Sequence, residues 1–187
     1  ERAMVELIRA LQSVNYDVKS LKKENKPLAN CHYKSGDRIV QGDSLPRIKD
    51  LSELSSPYLS GLMDKFFDGV LIPMISTTRG CPFKCTYCSE GIDYYSKVSK
   101  RHDISDELLY IAERTGTMMD LCLTDANWGM FKEDIDKATA LAEIQDKFKW
   151  PKKLVMSSGK NQKERVMKVA SLLNGAMFAG GAIKTTD

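Results

Sequence analysis

Residues 70–88, VLIPMISTTRGCPFKCTYC, join a strand-length apolar run to a loop holding three of the chain's five cysteines. Cys81, Cys85 and Cys88 follow one another as Cys-x3-Cys-x2-Cys. A closed tetrahedral metal site takes four protein ligands and a disulfide takes two, so a trio calls for another use. Thiolates are soft ligands that select zinc, copper(I) or iron–sulfur clusters. A cubane cluster usually takes four cysteines, whereas three on one loop hold three irons and leave the fourth iron open to a small molecule. Gly80 permits tight backbone geometry in this loop, Pro82 stiffens it, and Tyr87 sets a ring beside the last thiol. Two other readings stay open on the residues alone. One is a structural zinc site, for which the spare candidates His32, His102, Cys31 and Cys122 lack ligand spacing from the trio. The other is three unligated thiols, since cysteine is a common buried residue. Cys31, Cys122 and the nine methionines read as core side chains.

Outward from the loop, strand-like and helical patterns alternate. VLIPMIS (70–76) reads as a buried strand. Ser105-Asp106-Glu107 reads as an N-cap with acid in the first turn, opening a helix to about Arg114. MMDLCLT (118–124) is a second strand. Residues 132–149 form an amphipathic helix, with Ile135, Ala138, Leu141, Ala142 and Phe148 on one side. KLVMSS (153–158) is a third strand. Residues 162–173 form a helix closed by Asn174-Gly175, and AMFAGGAIK (176–184) is a fourth strand. The alternation predicts an α/β fold: a parallel sheet covered by helices, curled into a partial (β/α) barrel of about four βα units. Strands apolar throughout predict burial on both faces. Such folds place chemistry at the carboxyl ends of their strands. Polar residues gather there: Thr77-Thr78-Arg79, Thr124 to Asn127, Ser157-Ser158 and Lys184 to Thr186.

Upstream, residues 1–15 carry Met4, Leu7, Ile8, Leu11 and Val14 at helical spacing. Residues 18–27 read as a lysine-rich solvated connector. CHYKSGDRIVQGD reads as a hairpin, with strands at Tyr33 and Ile39-Val40 and a turn at Ser35-Gly36-Asp37. An extended connector with two prolines and a short helix over 59–67 precede the sheet. We expect two parts: the tail of a preceding domain with its linker over 1–44, and a barrel portion over 45–187. The first residue already lies in a helical pattern without a cap, and the last stretch reads as a strand. Both point to a piece of a longer protein.

Composition narrows the class. The 187 residues are 42% hydrophobic and 28% charged, as in ordinary globular proteins. A net charge of +3 gives no reason to expect a nucleic-acid partner. Five cysteines are too few and too clustered for a secreted disulfide scaffold, and their grouping suggests a reducing cytosol. No apolar run approaches the roughly 20 residues of a membrane span. The amphipathic start is not a signal peptide.

TTRGCPFKCTYC closely resembles the cluster motif of radical S-adenosylmethionine (radical SAM) enzymes, in spacing, in the preceding Arg-Gly and in the aromatic before the third Cys. The lead-in LSELSSPYLSGLMDKFFDGVLIPMISTTRG resembles the branch in which a cobalamin-binding domain precedes the barrel. Residues 1–44 are similar, more weakly, to the end of that domain. The resemblance implies a [4Fe–4S] cluster on Cys81, Cys85 and Cys88, with S-adenosylmethionine chelating the open iron. One electron would cleave the sulfonium, and the 5′-deoxyadenosyl radical would take a substrate hydrogen. It also implies cobalamin in the full-length protein, an unknown, small-molecule substrate, and an electron donor of the flavodoxin or ferredoxin type. Tyr87 would border the adenine. Many family members have Gly-Gly-Glu at the end of the second strand, gripping the SAM amino group. Here TDANWG stands there, and Asp125 with Asn127 would accept that ammonium. Ser157, Ser158 and Lys160 would contact SAM carboxylate or ribose. Lys184 and Thr185 end the fourth strand, and Arg79 would brace the loop. No Asp-x-His-x-x-Gly cobalamin-ligand motif occurs in the chain. A tRNA methylthiotransferase is a close variant, and its upstream domain would carry its own cysteine trio. Residues 1–44 hold only Cys31. A non-catalytic metal-binding module is the rival from another class.

Overall fold

The computed structural model describes residues 2–173 and the backbone of 177–180. The chain divides into two compact units, Glu1–Arg47 and Ile48–Asp187. The first begins with α1 (Arg2–Ser13), none of whose residues is buried. α2 (Val18–Lys23) lies where the lysines suggested a solvated connector. Its cause is local. The Asp17 carboxylate accepts from Lys19 N and Ser20 Oγ, Lys22 and Lys23 sit in the last turn, and Leu21 is buried. The expected hairpin is present as β1 (His32–Ser35) and β2 (Arg38–Gln41). Ser35 pairs with Arg38, so Gly36-Asp37 is the turn. Gly36 has φ +56°, as a tight hairpin turn requires.

The second unit runs β3 (Met74–Ile75), β4 (Thr78–Arg79), α3 (Asp93–Ser96), β5 (Ser99–Lys100), α4 (Ser105–Ala112), β6 (Asp120–Leu123), α5 (Asp134–Phe148), β7 (Lys153–Ser157), α6 (Lys163–Leu172) and β8 (Met177–Gly180). β3, β6, β7 and β8 form one parallel sheet in that order. The α/β class and the parallel sheet are as expected. Sheet order follows chain order, so the sheet has no switch point of the doubly wound kind. A helix precedes each of β6, β7 and β8, supplying the crossover that parallel pairing requires.

Leu121, Leu123, Leu154 and Met156 of the sheet share one core with Leu108 and Ile111 of α4, Ala138, Leu141 and Ile144 of α5, and Val169 of α6. Both-face burial of the strands is not observed. Cys122 and Val155, between those buried positions, are only half-buried, because α4, α5 and α6 pack on the face that Leu121 and Leu154 present. Strand alternation, rather than an all-apolar run, sets the burial.

Three expectations upstream and at α4 are corrected. VLIPMIS is not a buried strand throughout: pairing covers only Met74 and Ile75, and Val70 is 76% exposed. The Asp68 carboxylate accepts from Val70 N and Leu71 N, and Pro73 has no N–H, so the run's start is committed to a turn. Residues 59–67 form turns and a short 3₁₀ helix, Asp64–Phe66, with Gly61 at φ +74°. Ser105 is the first residue of α4, and Asp103 caps it instead, accepting from Ser105 N at 2.9 Å and Oγ at 2.7 Å. Asn174-Gly175, Lys184 and Thr185 lie outside the described residues, and the fourth strand is described as backbone over Met177–Gly180. Among the described residues, no helix is long and apolar enough to cross a membrane.

Candidate functional site

The cysteine loop leaves the sheet at the carboxyl end of β3. Its neck is a short antiparallel ladder, Thr78 opposite Lys100 and Arg79 opposite Ser99. Arg101 N donates to Thr77 O at 2.7 Å, and Cys81 N to Tyr95 O at 2.9 Å, so both limbs are tied together. Farther out the loop winds in tight turns, with Cys88 N on Cys85 O at 3.2 Å and Gly91 N on Cys88 O at 2.9 Å. A Cβ on Gly91 would stand 2.1 Å from Cys85 O, so only glycine fits this approach. Gly80, at φ +108°, makes the first bend.

The three thiols differ in setting. Cys81 is 2% exposed, while Cys85 and Cys88 are half-buried. Tyr87 is 79% exposed, and Cys85 beside it holds the tyrosine hydroxyl above its ordinary pKa. All five cysteines are free thiols. Among the described residues, no three Cys, His, Asp or Glu side chains gather as ligands of a single ion.

Beneath the loop lies a buried polar network. Asp125, just past β6, is 2% exposed. Its carboxylate accepts from Thr77 N at 3.0 Å, from Thr78 N, and from Thr78 Oγ1 at 2.7 Å. Lys137 of α5, also 2% exposed, donates Nζ to Thr77 Oγ1 at 3.0 Å and approaches Asp134 Oδ1 at 3.5 Å. Asp134 Oδ2 accepts from Gly129 N and Phe131 N. Burial pushes the Asp125 carboxyl above its ordinary pKa, and the Thr78, Lys137 and Thr77 groups pull against it. Burial raises Asp134 in the same way, against the Phe131 N–H and Lys137. The Lys137 ammonium pairs with Asp134 directly and with Asp125 only through the Thr77 hydroxyl and the field between them. Isolated burial of any of the three would be costly, and the donors to each carboxylate and the acceptors of the ammonium make the set tolerable.

Asn127 and Trp128 continue the same turn. Asn127 Nδ2 donates to Cys81 Sγ at 3.2 Å, with both side chains buried. Asn127 Oδ1 and Trp128 Nε1 are buried without a partner among the described residues. Trp128 N donates to Ser157 O, and Gly159 N to Trp128 O, so the turn is laced to the end of β7. Ser157 is exposed and Ser158 half-buried. The carboxyl ends of β3, β6 and β7 therefore meet at one edge, as expected for the chemistry-bearing side. Asp125 and Asn127 are beside the loop, with Asp125 engaged in holding it. A cavity of about 460 Å³ opens next to Phe83, lined also by Lys100, Phe131 and Arg165.

Lys137 and Asp134 were not singled out from the sequence, and Thr77 and Thr78 stood out only as polar residues at a strand's carboxyl end. A signal existed. Lys137 and Asp134 lie on the stripe 134, 137, 138, 141, 144 that α5 buries, and charges on an apolar stripe need partners.

No family model matches the chain. It is 29% identical over 168 residues, 81% of its length, to the cobalamin-dependent radical SAM methyltransferase TokK of Streptomyces tokunonensis. It is 28% identical over 163 residues to a 2-(S-pantetheinyl)-carbapenam-3-carboxylate methyltransferase of Streptantibioticus cattleyicolor. An uncharacterized methyltransferase of Pyrococcus horikoshii matches at 32% over 80 residues, covering 42% of this chain and 17% of its own. The chain spans 24% of the length of each of the first two relatives. The resemblance read from TTRGCPFKCTYC and its lead-in, to the cobalamin-dependent branch of radical SAM enzymes, is borne out by these relatives.

Proposed function

We propose that this chain is the part of a radical SAM methylase that carries its cluster-binding loop, with residues 45–187 as the first portion of a partial (β/α) barrel and residues 1–44 as the end of a preceding domain. The observation that carries it is a trio of thiols on one loop, placed at the carboxyl edge of a parallel sheet and held there by Asp125 and Asn127. The donor set fits a [4Fe–4S] cluster. Three cysteines on one loop are the number a cubane takes when its fourth iron is left open, and Cys81, the buried one, already meets a hydrogen-bond donor. Held by Cys81, Cys85 and Cys88, such a cluster would supply the one-electron reduction that cleavage of S-adenosylmethionine needs.

The chain's own residues prepare this. Asp125 and Lys137 fix Thr77 and Thr78, and through them the direction in which the loop leaves β3. Asn127 orients Cys81. Gly91 lets the loop close around its two outer thiols. Tyr87, Ser157 and Ser158 stand at the open edge, where a nucleoside and an amino acid moiety would lie. Asp125 acts as a loop anchor in this scheme, and its contact with the SAM ammonium requires an oxygen now given to the threonines. Cobalamin belongs to the proposal only through the resemblance of the lead-in and the name of one relative, since the chain offers no Asp-x-His-x-x-Gly motif. We place a small molecule or a substrate of unknown class in the site, with an electron donor of the flavodoxin or ferredoxin type and the cytoplasm as compartment.

The test is anaerobic reconstitution of the whole protein with iron and sulfide, reduction, and addition of S-adenosylmethionine. A brown protein that yields 5′-deoxyadenosine supports the reading. A colourless protein that retains zinc and forms no nucleoside would overturn it in favour of a structural metal module.

A further inference from the structure

We infer that Asn127 is a positioning residue acting through Cys81: its amide donates to the ligand sulfur and raises the reduction potential of the cluster held by Cys81, Cys85 and Cys88. This rests on the function proposed above. The contact is 3.2 Å, and Cys81 and Asn127 are 2% and 1% exposed. A metal-bound thiolate offers only an acceptor, so the nitrogen end of the amide must face it. The other end, Oδ1, is buried with no partner among the described residues. Leaving such an acceptor unpaired costs about 1–3 kcal/mol, which an apolar side chain of the same size would avoid. The amide is therefore expensive to keep where it is, and the contact it makes is with the sulfur.

Its aim is set from both sides. Asp125, two residues earlier, is bonded to Thr77 and Thr78. Trp128, one residue later, is bonded through its N–H and carbonyl to Ser157 and Gly159. Met130 N closes the turn on Asn127 O at 3.2 Å. A donor held this firmly does not reorganise when the charge on sulfur changes. Adding an electron to a cluster puts more negative charge on its thiolates, so a fixed donor stabilises the reduced form more than the oxidised one. Burial strengthens the difference by lowering the local dielectric. Hydrogen bonds to ligand sulfurs are an established lever on cluster potentials.

The experiment uses the whole protein, reconstituted anaerobically, as wild type and as Asn127→Leu and Asn127→Gln. Iron and sulfide content are measured first, then the cluster potential by titration followed with electron paramagnetic resonance. Leu keeps the volume and removes the donor. It should leave about tenfold less reduced cluster at a fixed potential, about 59 mV for one electron. Gln keeps an amide and should recover part of the shift. A Leu variant titrating at the wild-type potential overturns the inference and leaves the proposed function standing. So does a folded Leu variant that takes up no cluster, because Asn127 would then build the site and not tune it. A wild type that takes up no cluster removes the proposed function and this inference together.

Discussion

The two ends of the cysteine loop are built on different principles. At Cys81 the chain is buried, tied to Tyr95, and met by an amide from the next strand's turn. Just before it, Thr77 and Thr78 hang on a carboxylate and an ammonium that belong to β6's turn and α5. At Cys85 and Cys88 the contacts are local turns of the loop itself, and the thiols are half-buried. One thiol is positioned by distant parts of the sequence and two by near neighbours. A preplaced ligand spends its ordering entropy during folding, while an adaptable one spends it on binding. The loop therefore presents one rigid contact and two that close on what arrives.

The strongest way to break this contrast is Lys137→Met. It leaves the Asp134 carboxylate buried without its cation and takes the donor from Thr77 Oγ1, which should cost about 3–5 kcal/mol. Amide exchange at Thr77 and Thr78 should accelerate, and a thiol probe should reach Cys81 faster with little change at Cys85 or Cys88. Equal acceleration at all three thiols would dissolve the distinction. Gly91→Ala tests the other end. Its Cβ cannot stand against Cys85 O, so the outer turns must shift at a cost of about 1–3 kcal/mol. Iron uptake should fall while protection of Thr77 stays as it was.

A helix cap away from the loop supplies a smaller scale, and a pH sign. The Ser105 donors hold the Asp103 carboxyl below its ordinary value, so its contribution is present above the unfolded pKa and lost as pH falls through the folded one. Asp103→Ala should cost about 1 kcal/mol in α4 at neutral pH. The gap to wild type, read by exchange, should close on acidification. Asp125 has the opposite sign: its raised pKa means that its charge is disfavoured by folding, and Asp125→Asn should remove a loss of stability that wild type suffers as pH rises. Smallest is Tyr87→Phe. An exposed ring should leave stability as it was, so a loss of S-adenosylmethionine affinity in this variant would mark a contact with ligand.

The parallel order, the helices and the cysteine loop were legible because periodicity and thiol spacing are written along the chain. Strand lengths were not. VLIPMIS carries the composition of a strand, and only the bonds from Asp68 to Val70 and Leu71 reveal a turn. Helix α2 was hidden by its lysines, and its capping residue, Asp17, lies one position before the helix. At the site, polar residues after each strand marked the right edge, but their partners could not be read. Asp125 pointing at its own chain's backbone looks the same in sequence as Asp125 pointing at a ligand. Lys137 was legible in principle as a charge on a buried stripe, but only if the stripe was drawn to pass through it.

The Asp125 anchor also sets a timetable. The bonds to Thr77 and Thr78 span 48 and 47 residues of chain. At synthesis rates of about 5–20 residues per second, the cysteines leave the ribosome roughly 2–10 s before the carboxylate that steadies them. During that interval the trio is a floppy run of reduced thiols, open to oxygen and stray metal. Loading the proposed cluster would thus be a matter of sequence in time as well as in space: whatever delivered iron would meet a finished Cys81 only after β6 and its turn had been made.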